Sequence, residues 1–279
     1  MQNNIYFGTA GIPNNSKKKS SECGIEAVRE NNLDAMELEF VRGVRTSHKK
    51  AVILNEKSQE NKILLSCHCP YYINLNSKEE EKIISSRKRI IDSANVLNIA
   101  GGKNVVFHAG FYLDNTVEES LLKTVKNLKI IREELDSNNM EHIILRPELT
   151  GKSSQIGSEE DLLFMCLKIE RTLPCIDFSH YLARYNSKKD FEELFIFLNK
   201  NLPDFFKDAH CHLSGIDFGE KGEIKHLNLL ESVIDYKKII DLMVKYKVNG
   251  TVICESPSLE NDAKILKDYY VKTVKGLKG

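Results

Sequence analysis

The chain has 279 residues, of which 41% are hydrophobic and 29% are charged, and its 40 Lys and Arg residues balance 40 Asp and Glu residues. This neutrality excludes a protein that coats nucleic acid through general positive charge, although it leaves a local basic groove open. The longest apolar runs are no longer than a strand, and the N-terminus lacks the pattern of a signal peptide. Seven cysteines is an odd number in a chain that is neither short nor visibly secreted. We therefore expect a cytoplasmic protein whose thiols are mostly reduced.

Short apolar segments, often β-branched and bounded by turn residues or charges, predict eight strands. Helical patterns lie between most of them, and the run Ser158–Asp161 resembles a capping box that opens one of these helices. The apolar runs are continuous, as is typical of parallel strands buried on both faces. The predicted strands are Ile5–Gly8, Ala35–Phe40, Ile63–Cys67, Asn104–Phe107, His142–Arg146, Leu173–Ile176, Phe205–His210 and Thr251–Cys254. The predicted helices are Glu79–Ile99, Val117–Leu135, the one after Ser158, Asp190–Leu198, Tyr236–Tyr246 and Leu259–Val274.

Eight βα units are compatible with an open doubly wound sheet or with a closed barrel. The first strand is not followed by a G-x-G-x-x-G loop, and the number of units matches a barrel. We therefore predict an α/β fold, a (β/α)₈ TIM barrel. No linker and no shift in composition marks a boundary, so we expect residues 1–279 to form one domain.

Ionisable side chains follow six consecutive predicted strands, the third to the eighth, where each strand ends. In a parallel barrel all carboxyl-terminal strand ends lie on one face, here called the mouth, where such folds carry out chemistry. We therefore expect side chains that are far apart in sequence to converge there. They are His68, His108, Glu148, Asp177 with His180, His210 and His212 with His226 in the loop beyond, and Glu255.

Each of these residues alone has an ordinary explanation, because an isolated His is usually a hydrogen-bonded core or rim residue and an isolated carboxylate usually caps a helix or pairs with a cation. The joint pattern is different, since many imidazoles and carboxylates in one mouth are costly to desolvate without a cation. Mixed His, Asp and Glu ligation suits zinc, manganese or iron, and the share of carboxylates allows more than one ion. The sequence thus predicts a metal site.

Aromatic and basic residues follow the second and third strands on the same mouth. Tyr71, Tyr72, Arg42 and Arg45 are suited to stacking on bases or contacting phosphates. Ordinary packing at the rim explains them equally well.

Six segments at the strand ends form an ordered set along the chain: His68–Leu75 (HCPYYINL), Phe107–Gly110 (FHAG), Pro147–Gly151 (PELTG), Ile176–His180 (IDFSH), His212–Ser214 (HLS) and Cys254–Pro257 (CESP). No single segment is specific. As a set, over nearly the whole chain, they resemble the endonuclease IV family of apurinic/apyrimidinic endonucleases, which belongs to the xylose-isomerase-like TIM barrels.

The resemblance implies a trinuclear zinc site, with two to three ions and manganese as an alternative, that hydrolyses the DNA phosphodiester 5′ to an abasic site. Glu148 is implied as the catalytic residue, which bridges two ions and orients the metal-activated hydroxide. By position, the implied ligands are His68, His108 and Glu148 for the first ion, Glu148, Asp177, His212 and Glu255 for the second, and His180 and His226 for the third.

The resemblance also implies a partner and the residues that contact it. The partner is damaged double-stranded DNA, with no membrane involved, and we expect the chain to act as a monomer. Tyr71 matches an aromatic residue that the family uses near the abasic site, and Tyr72 is a candidate wedge. Arg42 and Arg45, in a loop only loosely like the family's DNA-inserting loop, are candidate DNA contacts.

Two positions depart from the family pattern. The family completes its third zinc site with an aspartate two residues before the last His, and here that position is Ile224. Glu223, three residues before His226, is the candidate substitute. The family also has a His soon after the first strand, where this chain reads Gly8–Gly11 (GTAG).

Two other functions remain open. A sugar isomerase or epimerase of the same barrel group uses one divalent ion held by two Glu, one Asp and one His, and Glu148, Asp177, His212 and Glu255 would supply that set. A metal-binding barrel that recognises a partner without cutting it is the third possibility.

Overall fold

The computed structural model describes residues 4–276 and contains a parallel eight-stranded sheet that closes into a nearly complete barrel. The barrel strands are β1 (Ile5–Ala10), β2 (Ala35–Glu39), β3 (Leu64–His68), β4 (Asn104–Phe107), β5 (Ile144–Pro147), β6 (Cys175–Asp177), β7 (Ala209–Leu213) and β10 (Gly250–Cys254). Their order is β5-β4-β3-β2-β1-β10-β7-β6, and isolated bridges from Leu145 to Thr172 and from Glu148 to Cys175 join β5 to β6. The predicted TIM barrel is thus confirmed.

Helices surround the barrel and bury their apolar faces against it. Capping boxes at Thr116, Ser158 and Asp190 satisfy the first N–H groups of three of them. No helix among residues 4–276 is both long enough and apolar enough to cross a bilayer. The helices are α1 (Ser21–Glu30), α2 (His48–Asn61), α3 (Glu80–Ile99), α4 (Val117–Ser137), α5 (Glu159–Lys168), α6 (Phe178–Arg184), α7 (Phe191–Asn201), α8 (Tyr236–Lys245) and α9 (Glu260–Gly276).

The prediction of a strand over Phe205–His210 is wrong in its first half. Pro203–Lys207 forms a 3₁₀ helix, and the strand begins at Ala209. Phe205 and Phe206 are buried in that short helix, so their apolar run looks like a strand in the sequence. As a result, His210 and His212 both lie within β7.

A β-hairpin follows the seventh strand, where the sequence predicts only a loop. It consists of β8 (Gly215–Gly219) and β9 (Gly222–Leu227), which pair antiparallel. The hairpin packs beside α6 and carries Glu223 and His226 to the mouth.

The inside of the barrel is polar below the mouth, whereas barrels of this kind usually fill this space with branched apolar side chains. Glu37 of β2 accepts hydrogen bonds from Ser66 Oγ of β3 at 2.6 Å and from His210 Nε2 of β7 at 2.8 Å. Deeper in the barrel, the buried Arg146 donates to Asn104 Oδ1 and to the carbonyl of Asp208. Hydrogen bonds therefore cross the barrel between strands that are not neighbours.

Candidate metal centre

The carboxyl-terminal ends of the barrel strands carry the predicted ionisable residues on one face, as parallel topology requires. His68 ends β3, Asp177 ends β6, and His212 lies near the end of β7. His108, Glu148 and Glu255 follow β4, β5 and β10 directly. The structure therefore brings these six side chains to the mouth.

Glu148 lies at the centre of this cluster and is 1% exposed. Its Oε2 is 2.9 Å from His68 Nε2 and 2.8 Å from His108 Nε2. Its Oε1 is 3.1 Å from His212 Nδ1 and 3.4 Å from His180 Nδ1. One carboxylate thus contacts four imidazoles from four different parts of the chain.

A second group forms around the other oxygen of Glu148. Glu255 Oε1 lies 3.3 Å from His212 Nδ1, and Asp177 offers an oxygen to the same group. Asp177 uses its Oδ1 to cap α6 through the His180 N–H, whereas its buried Oδ2 accepts no hydrogen bond from the described residues and lies 3.2 Å from His180 Nδ1. A buried carboxylate oxygen without a hydrogen bond is costly unless positive charge, from an imidazolium or a metal ion, lies beside it.

The third group depends on an irregularity in the hairpin. Glu223 Oε2 lies 3.5 Å from His180 Nε2, and Glu223 Oε1 lies 3.6 Å from His226 Nε2. Residues three apart on a regular strand face opposite sides. Here Phe218 pairs with Glu223 and Asp217 with Lys225, so Ile224 is an extra residue and the ladder bulges. The bulge returns Glu223 and His226 to the same face and leaves Ile224 63% exposed.

Backbone contacts hold Glu223 in place. Its N–H donates to the carbonyl of Gly151 in the loop after β5, at 3.1 Å. The preceding residue, Gly222, has φ +95°, and a Cβ there would lie 2.1 Å from the Gly151 oxygen. Only glycine fits this close approach, which fixes the hairpin against the mouth.

Hydrogen bonds from the imidazole rings also orient their other nitrogens toward the cluster. His68 Nδ1 is 2.9 Å from the carbonyl of Cys69, and His180 Nδ1 is 2.9 Å from the carbonyl of Leu149. A ring that donates Nδ1–H to a carbonyl presents the lone pair of Nε2 on its other side. Metal-binding histidines are commonly fixed in this way.

The electrostatics of the mouth couple these groups. Burial disfavours a charge on His68, but its hydrogen bond to Glu148 and the charge of that carboxylate raise the pKa of His68 well above its usual range. Burial likewise opposes a charge on Glu148, but His108 and His212 hold the pKa of that carboxyl well below its usual range. Positive charge is thus stabilised beside these carboxylates, where a metal ion can displace protons from the imidazoles.

The arrangement fits divalent cations. Among the described residues, four groups have ligand atoms that all lie within 4.8 Å of one another; one of them, Cys175, His210 and His212, lies below the mouth, and Glu148 belongs to two of the other three. Imidazole nitrogen and carboxylate oxygen are the donors that zinc and similar ions prefer. The three groups at the mouth are His68, His108 and Glu148; Glu148, Asp177, His212 and Glu255; and His180, Glu223 and His226.

The predicted DNA contacts lie at the rim of the mouth. Tyr71 and Tyr72 are 60% and 65% exposed, and the ring of Tyr71 is 6.2 Å from that of His68. Arg42 and Arg45 are exposed in the loop after β2 and line a pocket of about 420 Å³ together with Glu39. The structure therefore brings the tyrosines near the metal groups and puts the arginines beside β2.

Two functional candidates were missed by the sequence reasoning. Glu37 is fully buried and touches His210 and His212, and Glu39 reaches the mouth on the same side of β2. Burial raises the pKa of Glu39 to about 8. Both carboxylates alternate with apolar residues within a predicted strand, and that alternation was the signal that could have identified them.

These features define a (β/α)₈ barrel with a cluster of His, Asp and Glu side chains at its mouth, and comparison with known proteins agrees on the fold. A family model described as a xylose isomerase-like TIM barrel matches residues 25–272. The chain belongs to this xylose isomerase-like TIM barrel family.

Relatives in sequence include an uncharacterized protein and a probable endonuclease. The uncharacterized protein MJ0133 of Methanocaldococcus jannaschii is 42% identical over 274 residues, covering 95% of this chain and 97% of the relative. A probable endonuclease 4 of Mycoplasma pneumoniae is 25% identical over 211 residues, covering 74% of this chain and 72% of the relative. The resemblance to endonuclease IV is thus supported by sequence.

Solved structures include both an endonuclease and epimerases. A D-tagatose 3-epimerase-like protein has a TM-score of 0.77 at 20% identity, covering 97% of this chain and 100% of that protein. Endonuclease IV from Thermus thermophilus has a TM-score of 0.69 at 16% identity, covering 95% of this chain and 99% of that protein. At these identities the structural likeness shows the fold alone.

Proposed function

We propose that this protein is a metal-dependent endonuclease of the endonuclease IV type, which hydrolyses the DNA phosphodiester 5′ to an abasic site. The observation that carries the proposal is the third group, His180, Glu223 and His226, beside the two groups that share Glu148. A barrel that needs a single ion has no use for this group.

Three groups of ligands suit the chemistry of phosphodiester hydrolysis. When bound, two or three divalent ions lower the pKa of a water molecule and neutralise charge on the phosphate and on the departing oxygen. Zinc is the proposed ion, with manganese as the alternative. Glu148 would hold two adjacent ions with its two oxygens, and the imidazoles would keep their nitrogens directed at the same positions.

The charge of the mouth supports the need for cations. Four of the candidate ligands are carboxylates, and a DNA backbone is itself anionic, so the two repel each other unless positive charge lies between them. Arg42 and Arg45 at the rim supply only part of that charge. The four carboxylates are Glu148, Asp177, Glu223 and Glu255.

The exposed tyrosines suit a DNA partner in which the bases beside the abasic site have lost a stacking neighbour. We propose that Tyr71 and Tyr72 stack on bases beside the abasic site, because aromatic faces exposed at a rim bind unstacked bases with little regard to sequence. Arg42 and Arg45 would contact the phosphates that flank it.

A sugar epimerase is the second candidate, favoured by one observation. Glu148, Asp177, His212 and Glu255 form a group with two Glu, one Asp and one His, which suffices for the single ion of such an enzyme. This function would leave His68, His108, His180 and His226 without a role in metal binding.

Incision of a duplex that carries one tetrahydrofuran abasic analogue tests the proposal. Purified protein should hold two to three ions per chain and cut 5′ to the analogue, and chelation should abolish the cut. Glu148→Gln should lower the rate by at least about 100-fold, because the shared ligand is lost. Glu159→Gln is the matched control, since Glu159 is a similarly buried carboxylate, bonded to Tyr185 and Lys189, that belongs to none of the candidate metal groups.

A different result identifies the alternative. One weakly held ion, no incision and epimerisation of a ketose such as D-tagatose would reject the nuclease and support the epimerase. Two or three ions without either activity would reject both enzymes.

A further inference from the structure

The inside of the barrel contains a buried carboxylate that the proposed reaction does not use. Glu37 is 0% exposed, and its oxygens contact Ser66, His210 and His212. No Lys or Arg among the described residues forms an ion pair with it. A carboxylate in such a position is costly to desolvate, so its presence calls for a role that a branched apolar side chain cannot fill.

The two nitrogens of His212 face different partners. Nε2 lies 2.8 Å from Glu37 Oε1, toward the barrel interior. Nδ1 lies 3.1 Å from Glu148 Oε1 and 3.3 Å from Glu255 Oε1, in the second metal group. The ring is therefore a link between the buried carboxylate and the mouth.

Glu37 is itself held firmly. Ser66 Oγ and His210 Nε2 both donate to its Oε2, from β3 and β7. The ring of His210 packs edge-on against that of His212, with centroids 5.7 Å apart. These contacts leave Oε1 free to face His212.

The contact between Glu37 and His212 is close. Glu37 Oε1 and His212 Nε2 are 2.8 Å apart, and neither atom has another hydrogen-bond partner among residues 4–276. A buried polar atom left without a partner costs free energy, so each of these two atoms depends on the other.

We propose that Glu37 is a positioning residue, which accepts the Nε2–H of His212 and so keeps the lone pair of Nδ1 directed at the second metal group. The proposal rests on the metal centre of the proposed function. A carboxylate that accepts a hydrogen bond from one nitrogen of an imidazole, while the other nitrogen binds a metal, is a known way to fix the tautomer of the histidine and raise its basicity.

A buried ion below the mouth is the competing explanation, because Cys175, His210 and His212 have ligand atoms within 4.8 Å of one another. Direct contact with Glu37 is favoured instead. Glu37 is not part of that group, and its carboxylate already lies 2.8 Å from the Nε2 atoms of both histidines. An ion bound through these two nitrogens would have to displace the carboxylate from both of them.

Metal affinity measured by chelator competition tests the proposal on the full-length protein, with zinc and with cobalt as a spectroscopic probe. Glu37→Gln should weaken the affinity for one ion by about 10–100-fold and change the cobalt absorption spectrum, because the amide no longer fixes the tautomer. Glu37→Asp, which keeps a carboxylate, should recover part of the loss. Glu159→Gln, a buried carboxylate elsewhere, should bind metal like the wild type.

Ser66→Ala gives a second measurement if Glu37→Gln does not fold, since it removes one of the bonds that hold Glu37. Ser66→Ala should weaken the affinity for the same ion by a smaller factor than Glu37→Gln. Wild-type affinity and an unchanged cobalt spectrum in the folded Glu37 variants or in Ser66→Ala would overturn the proposal. An additional ion that is lost in Cys175→Ser would overturn it in favour of a buried metal site.

The two proposals fail separately. A wild-type protein that binds metal but does not cut abasic DNA rejects the nuclease, whereas Glu37→Gln would still show its loss of affinity. A wild type that cuts, together with Glu37 variants of unchanged affinity, rejects only the positioning role.

Discussion

Glu39 shows how one side chain in the mouth can make the stability of the protein depend on pH. It lies two residues beyond Glu37 on the same side of β2, and its Oε1 is buried without a hydrogen-bond partner among the described residues. Burial is the main cause that raises its pKa to about 8, while the charge of His68 opposes the rise and those of Glu37 and Glu255 add to it. The folded protein therefore keeps a proton on Glu39 that the unfolded chain releases near pH 4.5.

Replacing Glu39 with Gln should change how stability depends on pH. A carboxyl group whose pKa is higher in the folded state stabilises the fold below about pH 4.5 and loses that contribution as pH rises toward 8. Glu39→Gln should thus raise the free energy of unfolding at pH 8 by about 1–3 kcal/mol and leave it nearly unchanged at pH 4.5. Denaturant unfolding in the presence of a chelator measures this.

Glu56→Gln is the control for that experiment, because Glu56 is exposed on α2. Its unfolding curve should follow the wild type at both pH values. Parallel pH profiles for Glu39→Gln and the wild type would contradict the assignment of an elevated pKa to Glu39.

At the scale of elements, the hairpin β8–β9 decides whether the third group exists. From the sequence, the three-residue spacing of Glu223 and His226 departs from the family pattern, and the bulge at Ile224 is what compensates for it. A bulge depends on pairing with the opposite strand, so local sequence does not reveal it. The same holds for the 3₁₀ helix at Pro203–Lys207, whose apolar residues match the pattern of a strand.

Deleting Ile224 should preserve the third group. Without the extra residue, Glu223 and His226 stand two apart on a regular strand and face the same side. The deletion should keep the wild-type number of ions, whereas Glu223→Ala should lower it by one. Elemental analysis of purified protein measures the number.

Two variants check the geometry of that prediction. Moving the carboxylate by the double change Glu223→Ala with Ile224→Glu should not restore the ion, because position 224 faces away from the mouth. Glu220→Ala, at the exposed turn of the hairpin, should retain every ion. Recovery of the ion in the double variant would contradict the bulged register.

At the scale of the whole molecule, parallel topology is what made the site predictable. The rule that all strand ends share one face brought together His68 and Glu255, which are far apart in the sequence, and it needed only the approximate position of each strand. It does not identify Glu37, and its expectation that His210 reaches the mouth is wrong, because that side chain is buried against Glu37 inside the barrel. Helices α1 and α2 were also missed: α1 has only ten residues, and α2 buries only Ala51, Leu54 and Ser58. The metal roles of the clustered residues remain predictions.

Removing metal should lower the stability of the entire barrel, since the candidate ligands come from the ends of most of its strands and from the hairpin. An ion present at 100 times its dissociation constant stabilises the fold by about 2.7 kcal/mol, which in a chain of this size corresponds to about 5–10 °C. Calorimetry before and after chelation should show a loss of that size for each tightly held ion. Glu148→Gln should show a smaller loss, and an unchanged melting temperature in the wild type would contradict tight binding.

Four imidazoles of the mouth all contact one residue, Glu148. Its two oxygens serve four rings, so one rotation about its side-chain bonds would release all four contacts together. Substitution of Glu148 would therefore disturb all of these contacts at once, whereas substitution of a residue in the hairpin would leave Glu148 and its imidazole partners in place. Among related barrels that bind one ion fewer, we expect Glu223 and His226 to be replaced before Glu148 is.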